Sequence, residues 1–268
     1  MTNQLPDDIS FERWVQYVFD HPVPERVSKE VEEAYRSEVF EIRMAMRESR
    51  DVQLTLPPEP DWKIWHLRSD RTDWNVEADP IRTVEYVTRL FTEIERYTAP
   101  YSDAQVNQGI DFLLFPFFSK HVVMLAHMAV PDSMCFACIE SFNVVYRELF
   151  AKRCTPIIGT KRKRGDPKYN PLNDVCFMWW DIFPFRVSKR PTSPKAEKIH
   201  QGLLEVMVKA LHLKSRACQE SALHGLGHWY KAYASFVYEA ITQFIDTHPN
   251  LYPPLYDYAI AARGGRML

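Results

Sequence analysis

The amino-acid sequence predicts an all-α protein that folds as an irregular multi-helix bundle. Apolar side chains recur every three or four positions through most of the chain, which is the spacing of one helix face. The 268 residues include only eight glycines but nineteen prolines, a balance typical of helices joined by stiff connections. Runs that alternate apolar and polar residues, as β-strands require, are weak throughout. We therefore expect helices and no sheet.

The composition is that of an ordinary globular protein, and it narrows the classes of function. Hydrophobic residues make up 46% of the chain and charged residues 25%. The formal net charge of −2 provides no general basic field, so extended binding to a nucleic-acid backbone is not the default expectation. Residues 1–10 lack an export signal, and the five cysteines are an odd number. We expect a cytoplasmic protein with free thiols.

The first third of the chain predicts two helices and an irregular segment. Asp8 or Ser10 is placed to cap a short helix that carries Phe11, Trp14, Val15 and Val18 on one face. A charged amphipathic helix is predicted over residues 27–49. Residues 54–79 contain three prolines that forbid a continuous helix, and we expect their tryptophans, Trp62, Trp65 and Trp74, to pin the segment onto the helices.

Cap signals mark the helices of the middle part. Asp79 followed by Pro80 opens one helix, and Ser102 with Gln105 forms a capping box at the start of another. The most apolar stretch, residues 112–130, is interrupted by Pro116 and by several polar residues. It therefore predicts a buried helical hairpin rather than a membrane span. Asp132 is expected to cap a further helix that contains Cys135 and Cys138.

Residues 154–194 are predicted to form a long irregular connection inside a single domain of residues 1–268. The connection holds the basic run Lys161, Arg162, Lys163 and Arg164, followed by an aromatic cluster that includes Trp179 and Trp180. The basic run is either a solvated loop or a contact for phosphate groups. The tryptophans either close the core or form an interaction surface. From residue 195 to the end the pattern is helical again.

Residues 216–227, RACQESALHGLG, resemble the second helix of a HEAT-type repeat. Cys218, Gln219, Glu220, Ser221, Ala222, Leu223, Leu226 and Gly227 occupy the places of that pattern. The family's usual basic residue is Gln219 here. The resemblance implies a HEAT-like arrangement of residues 195–268, within a bundle or a short α-solenoid, and a protein-interaction scaffold as the function.

The same segment carries three polar residues spaced four apart, Glu220, His224 and His228. On a continuous helix they lie in one narrow band, and we expect this ridge to face away from the buried side of the helix. With Lys231 it predicts an interaction surface. Two imidazoles one turn apart also suit a divalent transition metal, with the carboxylate as third ligand or as base. A helix that ends at Gly227 would displace His228 from the ridge.

Cys135 and Cys138 form a Cys-x-x-Cys pair inside an apolar helical pattern. The remaining cysteines are single, and no βαβ pattern surrounds the pair. Buried core thiols are therefore favoured over a redox or zinc site.

The leading functional hypothesis is a non-enzymatic scaffold that binds another protein along a helical surface and needs no cofactor. One alternative is a metal-dependent enzyme centred on Glu220, His224 and His228. A second alternative is association with nucleic acid through residues 161–168, which predicts binding that weakens steeply with salt.

Overall fold

A computed structural model of the chain describes residues 10–20, 79–115, 119–159, 167–185, 187, 190–191 and 193–266. These residues form helices and connections, and no strand occurs among them, so the all-α prediction is confirmed. The chain divides into two compact units, Met1–Asn75 and Val76–Leu268. The predicted helix over residues 27–49 and the segment with Trp62, Trp65 and Trp74 lie outside the described residues. The organisation as a single domain stays a prediction.

The described part of the first unit is helix α1, Phe11–Phe19. The Ser10 hydroxyl accepts a hydrogen bond from the Arg13 backbone N–H at 3.3 Å, which confirms the predicted cap. The apolar face predicted from the sequence is buried.

The second unit contains eight further helices among its described residues. In chain order they are α2 Pro80–Thr92, α3 Ile94–Thr98, α4 Asp103–Leu114, α5 Asp132–Val144, α6 Leu172–Ile182, α7 Pro194–Leu211, α8 Arg216–Thr247 and α9 Pro253–Arg263. Helix α5 continues through a π-helical stretch, Val145–Phe150, into a last turn, Ala151–Arg153. The predicted second arm of the hairpin over residues 112–130 is a short 3-10 helix, Val122–Ala126.

Local cap chemistry explains where several helices begin. The Asp79 carboxylate accepts hydrogen bonds from the Ile81 and Arg82 N–H groups. Ser102 and Gln105 exchange the two hydrogen bonds of a capping box. The predicted cap at Asp132 is wrong, because Asp132 is the first residue of helix α5, Pro131 is the cap residue and no side chain caps the helix. No described helix has both the length and the apolar character that a membrane crossing requires.

Helix α6 lies inside the stretch predicted to be irregular, so that prediction is wrong for Leu172–Ile182. A long-range contact positions the start of this helix, because the Asp103 carboxylate binds both Arg153 and Asn170. The Asn170 side-chain oxygen then accepts the Leu172 N–H at 2.8 Å. Asn170 followed by Pro171 repeats the pattern of Asp79 and Pro80, so the start of this helix had a local signal that the prediction missed.

Trp179 and Trp180 of α6 are buried, with exposed fractions of 0% and 3%. Four rings surround the Trp179 indole at centroid distances of 5.6 to 6.0 Å, those of Phe91, Phe142, Tyr146 and Phe150. The prediction that the two tryptophans form an interaction surface is therefore wrong. They close the core instead, because large aromatic faces gain most from burial.

Helix α8 reverses direction at Tyr233, whose φ of −131° and ψ of 39° are not helical. A straight helix of this length would span about 47 Å. Instead the rings of His212, before the helix, and His248, after it, lie 5.9 Å apart. Residues 216–232 and 234–247 are therefore two antiparallel arms, which we call the first and second arms of α8.

Helix α9 packs alongside the first arm and runs in the same direction. At one end the Arg216 guanidinium lies 4.3 Å from the centre of the Tyr252 ring. At the other end Gly265, with φ of +67°, lies so close to Tyr230 that a Cβ would stand 2.5 Å from its ring. This packing places Tyr258 beside the middle of the first arm.

Candidate metal centre

The first arm of α8 packs closely against α6 because Gly225 carries no side chain. A Cβ at this position would lie 2.5 Å from Cγ of Trp180. The residue that follows Trp180 is Asp181, and the residue that precedes Gly225 is His224. The close approach at Gly225 therefore brings these two polar side chains together across the interface.

Buried hydrogen bonds set the register of the two helices. The Ser221 hydroxyl donates to the Cys176 carbonyl on α6. It also lies 2.8 Å from the hydroxyl of Tyr146. Because both Ser221 and Tyr146 are buried, a shift of α8 along α6 would leave polar atoms without partners, which costs about 1–3 kcal/mol for each group.

Three side chains converge where the helices meet, Asp181, His224 and His228. Oδ2 of Asp181 lies 2.9 Å from Nε2 of His224, and Oδ1 lies 2.9 Å from Nε2 of His228. The two Nε2 atoms are 3.2 Å apart. Helix α8 continues through Gly227. His228 therefore stays one turn from His224, as predicted for a continuous helix.

The contacts with Asp181 can be made by hydrogen bonds. An ionised carboxylate only accepts hydrogen bonds, so each imidazole then donates its Nε2–H to its own oxygen of Asp181. In that arrangement the two Nε2 atoms lie side by side at 3.2 Å without a hydrogen bond between them.

The Asp181 carboxyl is ionised at neutral pH. Partial burial raises its pKa, but the hydrogen bonds and charges of His224 and His228 lower it by more. The net effect holds the pKa of Asp181 well below its ordinary value.

A single cation between the three groups also fits these contacts, and it would bring the two imidazoles together as ligands. Two ligands about 2.05 Å from one ion lie about 2.9 Å apart at a right angle and about 3.3 Å apart at the tetrahedral angle. The observed separations of 2.9, 2.9 and 3.2 Å fall in this range. The donor set of two imidazoles and one carboxylate suits zinc and ferrous iron.

Tyr258 of α9 contacts the far side of the His224 ring. Its hydroxyl lies 2.5 Å from Nδ1, and the two rings are within 6° of parallel. With a metal on Nε2, His224 carries its proton on Nδ1 and donates it to the Tyr258 oxygen. Partners of this kind fix the orientation of a histidine ligand.

The cluster is closed on one side and open on the other. The His224 side chain is 4% exposed, and the ring of Phe177 covers it at a centroid distance of 4.3 Å. The Asp181 side chain is 24% exposed and that of His228 is 41% exposed. Solvent and small molecules therefore reach the cluster from the His228 side.

Glu220 is not part of this cluster, so its predicted place as third ligand is wrong. Its Oε1 accepts the Gly159 N–H at 2.5 Å, and Glu220 is buried. The expectation that the ridge faces solvent is also wrong for Glu220 and His224, because α6 covers this side of the helix. It is correct for His228 and for Lys231, which are exposed.

Asp181 is the functional residue that the sequence did not reveal. It follows an aromatic run in a stretch interpreted as a loop, and it pairs with His224 over 43 residues. The signal visible in the sequence was the carboxylate of Asp181 directly after the adjacent Trp179 and Trp180.

Two other sites were predicted from the sequence, the Cys-x-x-Cys pair and the basic run. Cys135 and Cys138 are buried core residues. The basic run Lys161, Arg162, Lys163 and Arg164 lies outside the described residues, and its role with phosphate groups stays a prediction.

The chain matches no protein-family model, no curated protein and no solved structure. The class of protein is therefore defined by the fold of the described residues, an all-α multi-helix bundle with a candidate metal centre. The resemblance of residues 216–227 to a HEAT repeat stays a prediction.

Proposed function

We propose that this protein is a metal-dependent enzyme whose divalent transition metal is bound by Asp181, His224 and His228. The observation that carries the proposal is the convergence of one carboxylate and two imidazole nitrogens at contacts of 2.9, 2.9 and 3.2 Å, a donor set and a spacing that fit one divalent cation.

The number of ligands supports a catalytic rather than a structural metal. Structural zinc sites are closed by four protein ligands, whereas catalytic sites use three and keep a position for water or substrate. Here three ligands converge, and His228 is exposed beside them. A metal held by these residues would lower the pKa of a bound water and polarise a carbonyl or phosphoryl oxygen. Hydrolysis of an ester or phosphoester is the reaction class that these properties favour.

Each residue of the centre has a distinct role in this proposal. Asp181 supplies the anionic ligand, and His224 and His228 supply neutral nitrogen ligands. Tyr258 orients His224 through Nδ1. Glu220 holds the Gly159 N–H and has no contact with the metal.

Elemental analysis of protein purified without an affinity tag tests the metal site. We expect about one equivalent of zinc or iron in the wild type, as for a single site with three ligands. Asp181→Asn and His228→Gln are expected to lose it. Glu220→Gln is the matched control, since it neutralises a buried carboxylate on the same helix and keeps an acceptor for Gly159. Metal lost from Glu220→Gln but kept in Asp181→Asn would overturn the assignment of ligands.

Catalysis is tested separately with p-nitrophenyl acetate and bis(p-nitrophenyl) phosphate. We expect turnover by the metal-loaded wild type that chelation removes and that zinc restores. Bound metal without turnover of either ester would limit the centre to a structural role.

The protein-interaction scaffold stays a prediction for the exposed side of the bundle. His228 and Lys231 are the members of the predicted interaction surface that are exposed. Affinity capture of the wild type and of Lys231→Glu compares a protein partner with the enzymatic proposal. A partner lost only from Lys231→Glu would favour the scaffold.

A further inference from the structure

A second site lies about 12 Å along α8 from the candidate metal centre, at the other end of the first arm. It is a cavity of about 330 Å³ between the α7–α8 turn, the start of α8 and the connection to α9. This volume is at the small end of the range of ligand pockets, roughly 300–1,000 Å³. The cavity therefore accommodates a small organic molecule rather than an inorganic ion alone.

The lining of the cavity is basic. Lys214 and Arg216 contribute positive charges, His212 and His248 contribute imidazoles, and no carboxylate lines the space. Within the part of the chain that the structure describes, neither Lys214 nor Arg216 forms an ion pair with a carboxylate. Two adjacent cations without a protein counter-charge in a concave site create a positive potential there.

The cationic groups are held in place by the surrounding structure. The Arg216 guanidinium lies over the Tyr252 ring at 4.3 Å, which orients it without using its N–H donors. The Gln219 side chain, 7% exposed, donates to the Leu213 carbonyl at 2.9 Å and fixes the turn that carries Lys214. The positive end of the α8 dipole adds to the same potential.

One part of the lining is apolar and is formed by Leu213, Leu251, Leu255 and Pro249, while Gln219 and Asn250 add uncharged polar side chains. A ligand that is complementary to both the basic and the apolar lining has an anionic group attached to a small apolar group.

We infer that this pocket binds a small phosphate ester, with Lys214 and Arg216 on the phosphate and the leucine wall on the organic group. Phosphate fits the pair because it accepts several hydrogen bonds, and the planar guanidinium pairs with it in a fixed geometry. The inference does not depend on the metal centre, since no ligand of that centre lines the pocket.

Calorimetric titration with phenyl phosphate, with and without a chelator, tests the inference. We expect saturable binding that persists after chelation and that weakens about tenfold in Lys214→Gln and in Arg216→Gln, the size of effect usual for a hydrogen bond to a charged group. Lys198→Gln removes an exposed lysine of α7 that does not line the pocket and is expected to leave the dissociation constant unchanged. Thermal melts confirm that each variant is folded.

Two further probes separate the parts of the ligand. Phenol, which lacks the phosphate, and inorganic phosphate, which lacks the ring, are each expected to bind at least about tenfold more weakly. No saturable binding of phenyl phosphate, or equal binding by wild type, Lys214→Gln and Arg216→Gln, would overturn the inference. Equal affinity for inorganic phosphate would overturn the assignment to an ester.

Discussion

Oδ2 of Asp181 lies 2.9 Å from Nε2 of His224 across the interface of α6 and α8, although 43 residues separate them in the chain. The contact depends on Gly225, because a side chain there would meet the Trp180 ring that precedes Asp181. The candidate metal centre is therefore coupled to the packing of the aromatic core. Several consequences of this coupling are measurable.

Gly225→Ala is expected to weaken metal binding at a distance from the ligands. The added methyl group would lie 2.5 Å from Trp180 and force α6 away from α8, at a cost of about 1–3 kcal/mol in the free energy of unfolding. We expect the zinc dissociation constant to rise at least about tenfold, as for lost supporting contacts. Gly264→Ala is the control, because its methyl group meets its neighbours only at 3.7 Å. Unchanged zinc affinity in Gly225→Ala would show that the interface does not position Asp181.

Tyr258→Phe removes the hydroxyl beside Nδ1 of His224 and leaves the ring. Loss of such a partner typically lowers metal affinity by about 10- to 100-fold. Competition with a zinc-binding dye measures the change. Tyr256→Phe provides a matched comparison, since Tyr256 is an exposed tyrosine of the same helix. If both variants bind zinc equally well, Tyr258 does not orient the ligand.

Asp111→Asn is expected to remove part of the pH dependence of stability. Burial raises the pKa of the Asp111 carboxyl from 3.8 to about 7. The folded state therefore binds more protons than the unfolded state between these values, so the free energy of unfolding falls as pH rises through this range. The shift corresponds to about 4 kcal/mol as an upper bound. Because Asp111 is only half-buried, we expect about 1–2 kcal/mol.

Urea unfolding at pH 5 and pH 8 measures the effect. Asp111→Asn should be more stable than the wild type at pH 8, and the difference should shrink at pH 5. Asp246→Asn, on the exposed side of α8, is the reference for loss of a carboxyl. A stability difference that stays constant between the two pH values would contradict the raised pKa.

Cys135 and Cys138 are expected to be inert towards thiol reagents in the folded protein. Burial raises the pKa of the Cys135 thiol to about 11 and that of Cys138 to about 12, so the reactive thiolate is scarce at neutral pH. Cys154 is only partly buried and should account for any fast reaction with a disulfide reagent.

Mass spectrometry after brief labelling identifies the modified cysteine, and labelling in denaturant should reach all five. Cys154→Ser is the control that should abolish the fast phase. Rapid modification of Cys138 in the native protein would support the redox alternative instead.

Much of the fold follows from local sequence signals. The caps at Ser10, Asp79 and Ser102 are each set by a side chain that bonds a backbone N–H two or three residues away, and these helices begin where predicted. At α6 the same kind of signal was present but was missed, since Asn170 precedes a proline and accepts the N–H two residues later. What lies outside the local sequence is the hydrogen bond from Asn170 to Asp103, over 67 residues. No window of local sequence contains that interaction.

The candidate site was likewise predicted in part from local sequence and decided in part by tertiary contacts. The sequence alone determined that His224 and His228 share one side of a helix, because four residues are close to one helical turn. Only the tertiary structure decided that Asp181 joins them, that Glu220 binds Gly159 instead, and that Trp180 is buried against Gly225. The physical reason is that helical spacing is a property of neighbouring residues, whereas the partner of a helix face is set by packing between distant segments. A carboxylate on the same helix was the nearest in sequence, and one on the opposing helix is the nearest in space.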